Sequence, residues 1–535
     1  MPDFADWKKK NNFVRCCSFK EVIYWRGLGM RYFRGFVLVG MVVIVVTAFS
    51  LVAPAKVGEL HIERANLWSG LLEYDDADFS EEFSPDFGDL YAQAESPSVE
   101  SHEEQTFWWD ADSTDISSGY RIAFLGDSFI EGDILTSDPR EMLQSEFGGR
   151  GVGFVPCELP FRIYRHTAKV HGSAWQKYSL LKHKTAPEGI KDSFLISGYL
   201  ASGGKSSEMI WERGAGFAHL DSTDVCRIFL LSDKGCSVEV SLSGGQSHTF
   251  DIGASPFLRQ IVIKTTSDRL KLKILSGSLL CYGASFESST GVHIDNFSMR
   301  SNNGGAMFRS NLSLNRQFAG MMGYDAVVLQ YGLNIMMPDK NNYSKYQKQL
   351  ENMIECVRLG FPESEIVVMG VTDRGVVRDG DTTATSINSA PALTRHQKAA
   401  ADNSGVLLWN SLEAMESLGG LETFAQKGWV ASDKIHFTFG GGRALAGKMS
   451  GFWDELIRQK VLQSRKDTVL ETPPTDSSIL GAAVSDSAAS GLAPLKTKTG
   501  ADGPRRGKKQ VNRGYVLLSA LSVEQRSRIP RFPGR

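Results

Sequence analysis

Three residues in this sequence have the types that serine-based nucleophilic catalysis needs. Ser128 stands in the tripeptide Gly126-Asp127-Ser128, and Asp433 and His436 lie three positions apart far along the chain. A serine hydroxyl is a poor nucleophile and needs a base within hydrogen-bond reach, which a carboxylate holds in the correct tautomer. The three-residue spacing lets one loop supply both Asp433 and His436. The sequence therefore predicts acyl transfer through a Ser-His-Asp triad.

Such chemistry also needs hydrogen-bond donors aimed at the negative charge that develops on the substrate. The Ser128 amide is one candidate, and the Asn334 side chain is another. A glycine in the run Asn302-Asn303-Gly304-Gly305 is a third, and both Gly304 and Gly305 remain open for that role. The same chemistry requires no metal or organic cofactor, and no cysteine has the spacing of a metal site.

The elements around Ser128 should leave it at the end of a strand. Apolar residues 122–125 run straight into the tripeptide, and the signature of a helix ending at Gly148 follows. In that helix Asp138 is the predicted cap, Pro139 the first residue and Glu141 the partner in a capping box. Open α/β sheets bind ligands at this carboxyl end of a strand. Taken alone, however, Gly-Asp-Ser is also an ordinary turn sequence.

The second half of the chain alternates strands with helices, which predicts a parallel sheet with helices on both faces. The predicted strands are residues 325–330, 366–369 and 406–409. The predicted helices are residues 391–402, a helix with Tyr346, Leu350, Met353, Ile354 and Val357 on one face, and a last helix through Leu445, Met449, Trp453 and Ile457. Two other histidines, His293 and His396, lack an aspartate three residues earlier, and we interpret them as structural.

Between these parts lies a stretch of short β-rich runs, from residue 157 to 288. Clusters of Gly, Ser, Asp and Lys separate runs at 193–196, 225–231, 237–242, 260–264 and 270–275. The pattern predicts an antiparallel β-sandwich inserted into an α/β domain of residues 118–462. Carbohydrate binding and a purely structural role are both open for this insertion.

The N-terminal region has the composition of a membrane anchor. Residues 1–34 form a basic leader, and the uncharged residues 35–55 are long enough to cross a bilayer. The basic flank should stay in the cytoplasm, so the later domains should lie outside the cytoplasm, in the cell envelope. The alternative is a cleaved signal peptide, because Ala53-Pro54-Ala55 has the small-x-small form.

Two further segments have the composition of flexible chain. Residues 56–117 form an acidic linker, at whose end Trp108 and Trp109 should pack on the domain that follows. Residues 463–535 are rich in Ser, Thr, Pro, Ala, Gly and Lys, and we predict a disordered tail there. A net charge of −2 over 535 residues gives no indication of nucleic acid as a partner.

The order of the motifs resembles the four sequence blocks of the SGNH (GDSL-type) hydrolase superfamily. Gly126-Asp127-Ser128 matches the first block, Gly304 the second, Gly332-x-Asn334 the third and Asp433-x-x-His436 the fourth. Residues 126–156, with Gly-Asp-Ser-Phe-Ile-Glu-Gly-Asp and Gly-Arg-Gly-Val-Gly-Phe-Val-Pro, look like the bacterial peptidoglycan O-acetylesterase branch. One departure is Ile335, which stands where the third block usually carries an acidic residue.

The resemblance implies a flavodoxin-like three-layer α/β fold with an inserted carbohydrate-binding-like β-domain. It implies Ser128 as nucleophile, His436 as base and Asp433 as its orienter, with the Ser128 amide, Gly304 and Asn334 as oxyanion donors. We therefore expect an esterase that removes O-acetyl groups from an envelope polysaccharide. Two alternatives stay open: an acetyltransferase with the same triad and a membrane-bound O-acyltransferase as partner, or a non-catalytic glycan-binding protein.

Overall fold

The computed structural model describes residues 55–57, 60–62, 88, 90–91, 105–111, 119–160, 165–377 and 384–471, and of 55–57, 60–62 and 461–471 only the backbone. The predicted leader at 1–34, the predicted anchor at 35–55 apart from Ala55, and the chain beyond 471 lie outside these residues. No helix in the described ranges is long and apolar enough to cross a membrane. Internal contacts divide the chain into Met1–Thr468 and Val469–Arg535, and only residues 469–471 of the second unit are described.

The described residues form a chain of short strands and helices. The strands are β1 Ala55–Val57, β2 Leu60–Ile62, β3 Thr106–Asp110, β4 Tyr120–Gly126, β5 Gly153–Pro156, β6 Ala168–Ser173, β7 Gln176–Ser179, β8 Tyr199–Gly204, β9 Glu208–Arg213, β10 Val225–Leu231, β11 Cys236–Leu242, β12 Ser247–Ile252, β13 Arg259–Lys264, β14 Arg269–Glu287, β15 Val292–Ser298, β16 Ala326–Gln330, β17 Glu365–Met369, β18 Gly375–Val376, β19 Thr385–Ser386 and β20 Leu407–Trp409. The α-helices are α1 Ser137–Phe147, α2 Glu188–Lys191, α3 Leu312–Met322, α4 Ser344–Gly360, α5 Ala390–Ser404, α6 Ser411–Ser417, α7 Gly420–Gln426 and α8 Phe439–Glu471.

Five strands form a parallel sheet in the spatial order β15-β4-β16-β17-β20. Because β4 comes first along the chain and β15 second, this order is 2-1-3-4-5, the order of flavodoxin-like folds. Every residue of β4 and β16 is buried, as parallel strands are when helices cover both faces of their sheet. The predicted flavodoxin-like α/β fold is therefore confirmed.

The helices bury the faces that the sequence predicts. On α4 the five predicted apolar residues are all buried, and on α8 so are Leu445, Met449, Trp453 and Ile457. Trp453 packs against Phe124 of β4, with 6.1 Å between the ring centroids, and thereby fixes the last helix on the central sheet. The helix α8 ends at Glu471, beyond the predicted domain end at 462.

A second sheet has eleven strands, of which the ten from β5 to β14 are inserted between α1 and β15. Its long strand β14 pairs first with β9 and β11, and then with β8, β10 and β5. All of these pairings are antiparallel, and four of the five predicted runs lie in strands: β10, β11, β13 and the first part of β14. We call residues 153–287 the β-domain, because β5 already pairs with β14 before the predicted start at 157.

The fifth predicted run, residues 193–196, was wrongly predicted as a strand. Its residues form turns between α2 and β8. Phe194 and Leu195 are fully buried, which explains the apolar pattern, but the Ile196 N–H donates to the Asn315 side chain, 2.8 Å away, instead of to a neighbouring strand. The run therefore has the composition of a strand but does not pair with a neighbouring strand.

The acidic linker is also corrected at two places. Residues 106–110 form β3, which pairs in parallel with β13 and so extends the β-domain. Trp109 stacks on His248 at 5.6 Å as expected, whereas Trp108 is 53% exposed and does not pack as predicted. Leu90 is buried, and the Tyr91 hydroxyl donates to Glu355 of α4 at 2.8 Å. These residues of the linker thus hold ordered contacts.

A buried cluster of charges joins the β-domain to the central sheet. Arg121 of β4 donates to Glu287, the last residue of β14, at 2.5 Å, and to Asp295 of β15 at 2.9 Å. Glu287 also accepts a hydrogen bond of 2.5 Å from Arg227 of β10. Burial opposes the charge of Glu287, but Arg121 and Arg227 together hold its pKa well below the usual range. The β-domain is therefore attached through paired charges where the two sheets meet.

The helix after Ser128 differs from its prediction at the N-terminus. The helix α1 begins at Ser137, so Asp138 lies inside it and does not cap its N-terminus. Asp138 accepts a hydrogen bond from Arg443 instead, and Glu141 binds the ring and the N–H of His219 rather than closing a capping box. Gly148 does end the helix, with a φ of 76°. Tertiary partners have replaced the local capping bonds.

Candidate active site

The turn after β4 presents Ser128 at the carboxyl end of the central sheet. Gly126 ends the strand where a Cβ would lie only 2.7 Å from the Gln330 side chain of the neighbouring strand β16. The Asp127 carboxylate accepts a hydrogen bond of 2.9 Å from the Phe129 N–H, which closes a tight turn around the serine. The Ser128 side chain is left half-buried at the surface of this edge.

The structure brings Ser128, His436 and Asp433 into one hydrogen-bonded chain. The Ser128 Oγ lies 3.0 Å from Nε2 of His436, and Nδ1 of the same ring lies 2.8 Å from Asp433 Oδ2. A carboxylate acceptor at Nδ1 keeps the proton on that nitrogen and leaves Nε2 free to accept the serine proton. The geometry is that required for general-base activation of a serine.

The loop of residues 430–437 holds the histidine in place through its own backbone. Oδ1 of Asp433 accepts the N–H groups of Ile435 at 2.8 Å and His436 at 3.1 Å. Partial burial raises the pKa of Asp433, but the hydrogen bonds from the His436 ring and from these two amides outweigh it and lower the pKa overall. Asp433 is therefore an anion across the neutral pH range, able to orient His436.

The predicted oxyanion donors have different surroundings. No acceptor for the Ser128 N–H is found among the described residues. The Asn334 amide donates to Asp127 Oδ2 at 2.9 Å and to the Asn302 carbonyl at 3.0 Å. The Gly304 N–H donates to Asn302 Oδ1 at 2.9 Å. Asn302 therefore links the loop of the second block to the asparagine of the third.

Gly304 and Gly305, which the sequence leaves as equal candidates, differ in conformation. Gly304 has a φ of 95°, and a Cβ there would overlap the sulfur of Met353. Gly305 has no positive φ, its nearest neighbours would lie 3.2 Å from a Cβ, and its N–H donates to Asn303. The close approach of backbone therefore requires glycine at 304 and not at 305.

Asp127 is the main residue at this site to which the sequence assigns no role. It is fully buried, and burial raises its pKa to about 7, against hydrogen bonds that favour the charged form. Its two oxygens accept from Phe129 and Asn334, so it joins the serine turn to the loop of the third block. The signal available in the sequence was the Asx-turn pattern itself, an aspartate two residues before the amide it binds.

The remaining histidines near the sheet have other partners. His293 is buried in β15, and burial, followed by the charge of Arg121, lowers its pKa to about 3. His396 binds Gln347 of α4 through Nδ1 at 2.8 Å. Ile335, the departure from the third block, packs against the apolar core. Within the described part of the chain no cluster of His, Cys, Asp or Glu is arranged to hold a metal ion.

Comparisons with known proteins test the fold independently of the site. No family model and no curated protein sequence matches the chain. A solved structure of a peptidoglycan O-acetylesterase aligns with 64% of this chain and 92% of its own, at 19% identity and a TM-score of 0.51. The chain therefore shares the fold of this solved structure.

Other solved structures align less well with this chain. A family two carbohydrate esterase from Cellvibrio japonicus is 9% identical over 54% of this chain and 99% of its own, with a TM-score of 0.22. A protein from Parabacteroides merdae described as GDSL-like lipase is 13% identical over 30% and 73%, also at 0.22. Scores this low add nothing to the assignment of the fold.

Proposed function

We propose that the protein is a serine esterase that removes O-acetyl groups from a cell-envelope polysaccharide resembling peptidoglycan. The observation that carries the proposal is the continuous chain of hydrogen bonds from Ser128 through His436 to Asp433. The likeness in fold to a peptidoglycan O-acetylesterase supports the choice of acyl group and polymer.

The reaction proceeds in two acyl transfers. Nε2 of His436 accepts the hydroxyl proton while Ser128 Oγ attacks the acetyl carbonyl. The tetrahedral intermediate collapses when the sugar oxygen takes the proton from His436 and leaves as an alcohol, with the acetyl group now on Ser128. Water then attacks this ester with His436 again as base, and acetate departs as Ser128 recovers its proton. Asp433 stabilises the imidazolium that forms in each step.

The oxyanion of both intermediates is bound by donors around Ser128. The Ser128 N–H is the best-supported donor, since it has no acceptor among the described residues and is free to bind the oxyanion. The Asn334 amide contributes when its hydrogen bond to the Asn302 carbonyl is exchanged for one to the oxyanion. Gly304 supplies the third donor in the same manner, from its present bond to Asn302. Each donor is worth roughly 3–4 kcal/mol of transition-state stabilisation in enzymes of this type.

The cellular setting is also part of the proposal. The basic residues 1–34 and the apolar residues 35–55 support an N-terminal anchor, with the catalytic domain in the periplasm or cell envelope. The membrane and an acetylated polysaccharide are then the partners of this protein. The use of a sugar hydroxyl in place of water would make the same triad an acetyltransferase, with a membrane-bound O-acyltransferase as the source of acetyl groups.

The test compares the full-length protein with Ser128→Ala and His436→Ala, using 4-nitrophenyl acetate and O-acetylated peptidoglycan. Each variant should lose roughly 10³–10⁶-fold in kcat on both substrates. His396→Ala is the matched control, because it removes an imidazole that contacts Gln347 and Tyr343 and no residue of the triad, and should leave kcat unchanged. Folded variants as active as the wild type would overturn the proposal. Appearance of acetylated glycan when an unacetylated acceptor is added would indicate transfer rather than hydrolysis.

A further inference from the structure

The serine loop, residues 128–136, contains a buried aspartate that the proposed mechanism does not use. Asp133 is fully buried and ends the run Gly-Asp-Ser-Phe-Ile-Glu-Gly-Asp that begins at Gly126. Its φ is 66° and that of Gly132 is 68°, so two consecutive residues are left-handed. Aspartate tolerates this conformation better than most residues do, but surrounding contacts must still hold it. The loop therefore has a fixed point at Asp133.

The partners of the Asp133 carboxylate come from both parts of the molecule. From the α/β part, Thr136 Oγ1 donates to Oδ1 at 2.8 Å, and the Arg140 guanidinium lies 3.3 Å from Oδ2. From the β-domain, Arg165 Nε lies 3.4 Å from Oδ2, and the Thr167 hydroxyl donates to the same oxygen. Burial alone would raise the pKa of Asp133, but the charges of Arg140 and Arg165 hold it well below the usual range. The carboxylate is therefore charged and is bound by both parts.

The two arginines are themselves held by backbone carbonyls. Arg140 donates through Nε to the Ile294 carbonyl of β15 at 3.0 Å, and Arg165 donates to the Phe154 carbonyl of β5 at 3.5 Å. Both side chains are buried, so neither guanidinium is placed to meet a substrate. A buried charge is costly unless it is paired, and Asp133 supplies the pairing carboxylate for both. Their charges therefore act on the loop and not on a ligand.

Bonds from the central sheet hold the loop on either side of Asp133. Asn296 of β15 donates to the Ile130 carbonyl at 2.6 Å and to Thr136 Oγ1 at 2.9 Å. The β-domain adds the bonds of Arg165 and Thr167 to the carboxylate between these two points. The conformation of the serine loop therefore depends on the β-domain as well as on the sheet that carries the serine.

We propose that Asp133 is a positioning residue for Ser128, and that the β-domain holds it in place through Arg165 and Thr167. The proposal rests on the proposed esterase function, in which Ser128 Oγ must stay within hydrogen-bond reach of His436 Nε2, 3.0 Å away. A loop released at Asp133 shifts the serine, and a misplacement of about 1 Å costs on the order of 100-fold in rate. The inserted β-domain is then required for the chemical step itself.

The first test changes the hydroxyl at position 167 in the full-length protein, with 4-nitrophenyl acetate as substrate. Thr167→Val removes one hydrogen bond to Asp133 and leaves both arginines, so kcat should fall about 5–50-fold while KM changes less than about twofold. Thr167→Ser keeps the hydroxyl and should recover most of the loss. Arg165→Met should lower kcat further, by about 100-fold.

The matched control is Thr265→Val. Thr265 is also buried in the β-domain, but its hydroxyl accepts a hydrogen bond of 3.1 Å from the Ser267 N–H instead of binding the serine loop. The substitution removes the same atom from the same type of residue, and it should leave kcat at the wild-type value.

Hydrogen–deuterium exchange measures the loop without requiring activity. In Thr167→Val the amides of residues 128–136 should exchange at least about fivefold faster than in wild type, whereas those of β16 and β17 should not change. In Thr265→Val the loop amides should exchange at the wild-type rate. Valine has the shape of threonine without its hydroxyl, so Thr167→Val decides the question alone if Arg165→Met does not fold.

The two measurements separate this proposal from the esterase function. A wild-type kcat in Thr167→Val, a loss of kcat without faster exchange in the loop, or an equal loss in Thr265→Val would each overturn the positioning role. Faster exchange of the loop in Thr167→Val, together with a wild type that releases no nitrophenol, would reject the esterase and leave the hold on the loop standing.

Discussion

The ring of Phe129 packs on the ring of Phe437, with 4.6 Å between their centroids. Phe129 directly follows Ser128 and Phe437 directly follows His436, although more than three hundred residues separate the two pairs. Both rings are buried, and Phe437 also contacts Phe424 of α7 at 5.6 Å. This aromatic contact therefore sets the separation of the serine and the histidine, which are joined on the surface by a single hydrogen bond.

Replacing the ring of Phe437 with a smaller side chain should show whether this ring positions His436 in addition to stabilising the fold. We expect Phe437→Leu to lower the free energy of unfolding by about 1–2 kcal/mol. It should also lower kcat for 4-nitrophenyl acetate by roughly 10–100-fold, because small displacements of a base are costly. The control is Phe361→Leu, which shortens a ring packed on Tyr324 at 5.6 Å, away from the site. Equal loss of kcat in both variants would contradict a positioning role for Phe437.

Asp127 should act on catalysis through Asn334. In Asp127→Asn one acceptor oxygen becomes an NH₂ group, so the hydrogen bonds from Phe129 and Asn334 cannot both be kept. We expect kcat to fall roughly 10–100-fold, less than the 10²–10³-fold typical of losing an oxyanion donor outright. Asp138→Asn, a second buried aspartate, which binds Arg443 instead, should retain wild-type kcat. A wild-type kcat in Asp127→Asn would show that Asn334 is oriented without it.

The raised pKa of Asp127 also predicts a dependence of stability on pH. Burial raises this pKa to about 7, whereas the unfolded chain has the ordinary value near 4. The folded protein therefore holds the proton more tightly, and the resulting stability is present below about pH 4 and is lost as the pH rises to about 7. The free energy of unfolding of wild type minus that of Asp127→Asn should decrease over this range. Urea unfolding of both proteins at pH 4.5, 6 and 8 measures this difference.

The sequence was most informative where local pattern and tertiary structure agree. The apolar run into Ser128, the periodic face of α4 and the Asp433–His436 spacing needed only information within a few neighbouring residues. The contact between Ser128 and His436 was predicted from the requirement of a serine nucleophile for a base within hydrogen-bond reach, and the structure shows it. The resemblance to the four blocks then connected segments that no local pattern could connect.

The parts that the sequence missed depend on distant partners. The strand β15 went unrecognised because His293, Asp295 and Asn296 interrupt its apolar run. Within the fold, Arg121 pairs with Asp295, and the Ile130 carbonyl accepts from Asn296. The strand β3 lay hidden in an acidic segment, since its pairing partner β13 is about 150 residues away. The cap predicted at Asp138 failed for the same reason, because Arg443 competes for its carboxylate. Tertiary contacts overrode local propensity in each case.

The two glycines of the second block should respond differently to an added methyl group. We expect Gly304→Ala to lower stability by about 1–3 kcal/mol, from its positive φ and its overlap with Met353. The activity of Gly304→Ala on 4-nitrophenyl acetate should also fall, because the loop that contains Gly304 moves away from Asn302. Gly305→Ala is the matched control and should lie within about 1 kcal/mol of wild type. Thermal unfolding and initial rates distinguish the pair, and the reverse ranking would assign the second block to Gly305.

The attachment of the β-domain should weaken in acid through Glu287. Glu287→Gln removes the charge that pairs with Arg121 and Arg227. We expect the free energy of unfolding to fall by about 3 kcal/mol at pH 7. This is the lower end of the range for a broken buried ion pair, because Arg121 still pairs with Asp295. Since the folded pKa of Glu287 is lowered, its stabilisation is present above the unfolded value near 4.3 and is lost as the pH falls below it. The difference in the free energy of unfolding between wild type and Glu287→Gln, measured by urea unfolding, should therefore shrink between pH 5 and pH 3.

The control is Glu208→Gln, which removes a carboxylate paired with Lys271 at the surface. It should lower the free energy of unfolding by about 1 kcal/mol or less at every pH. A loss for Glu287→Gln no larger than that for Glu208→Gln would mean that apolar packing, and not the charge cluster, holds the β-domain to the central sheet.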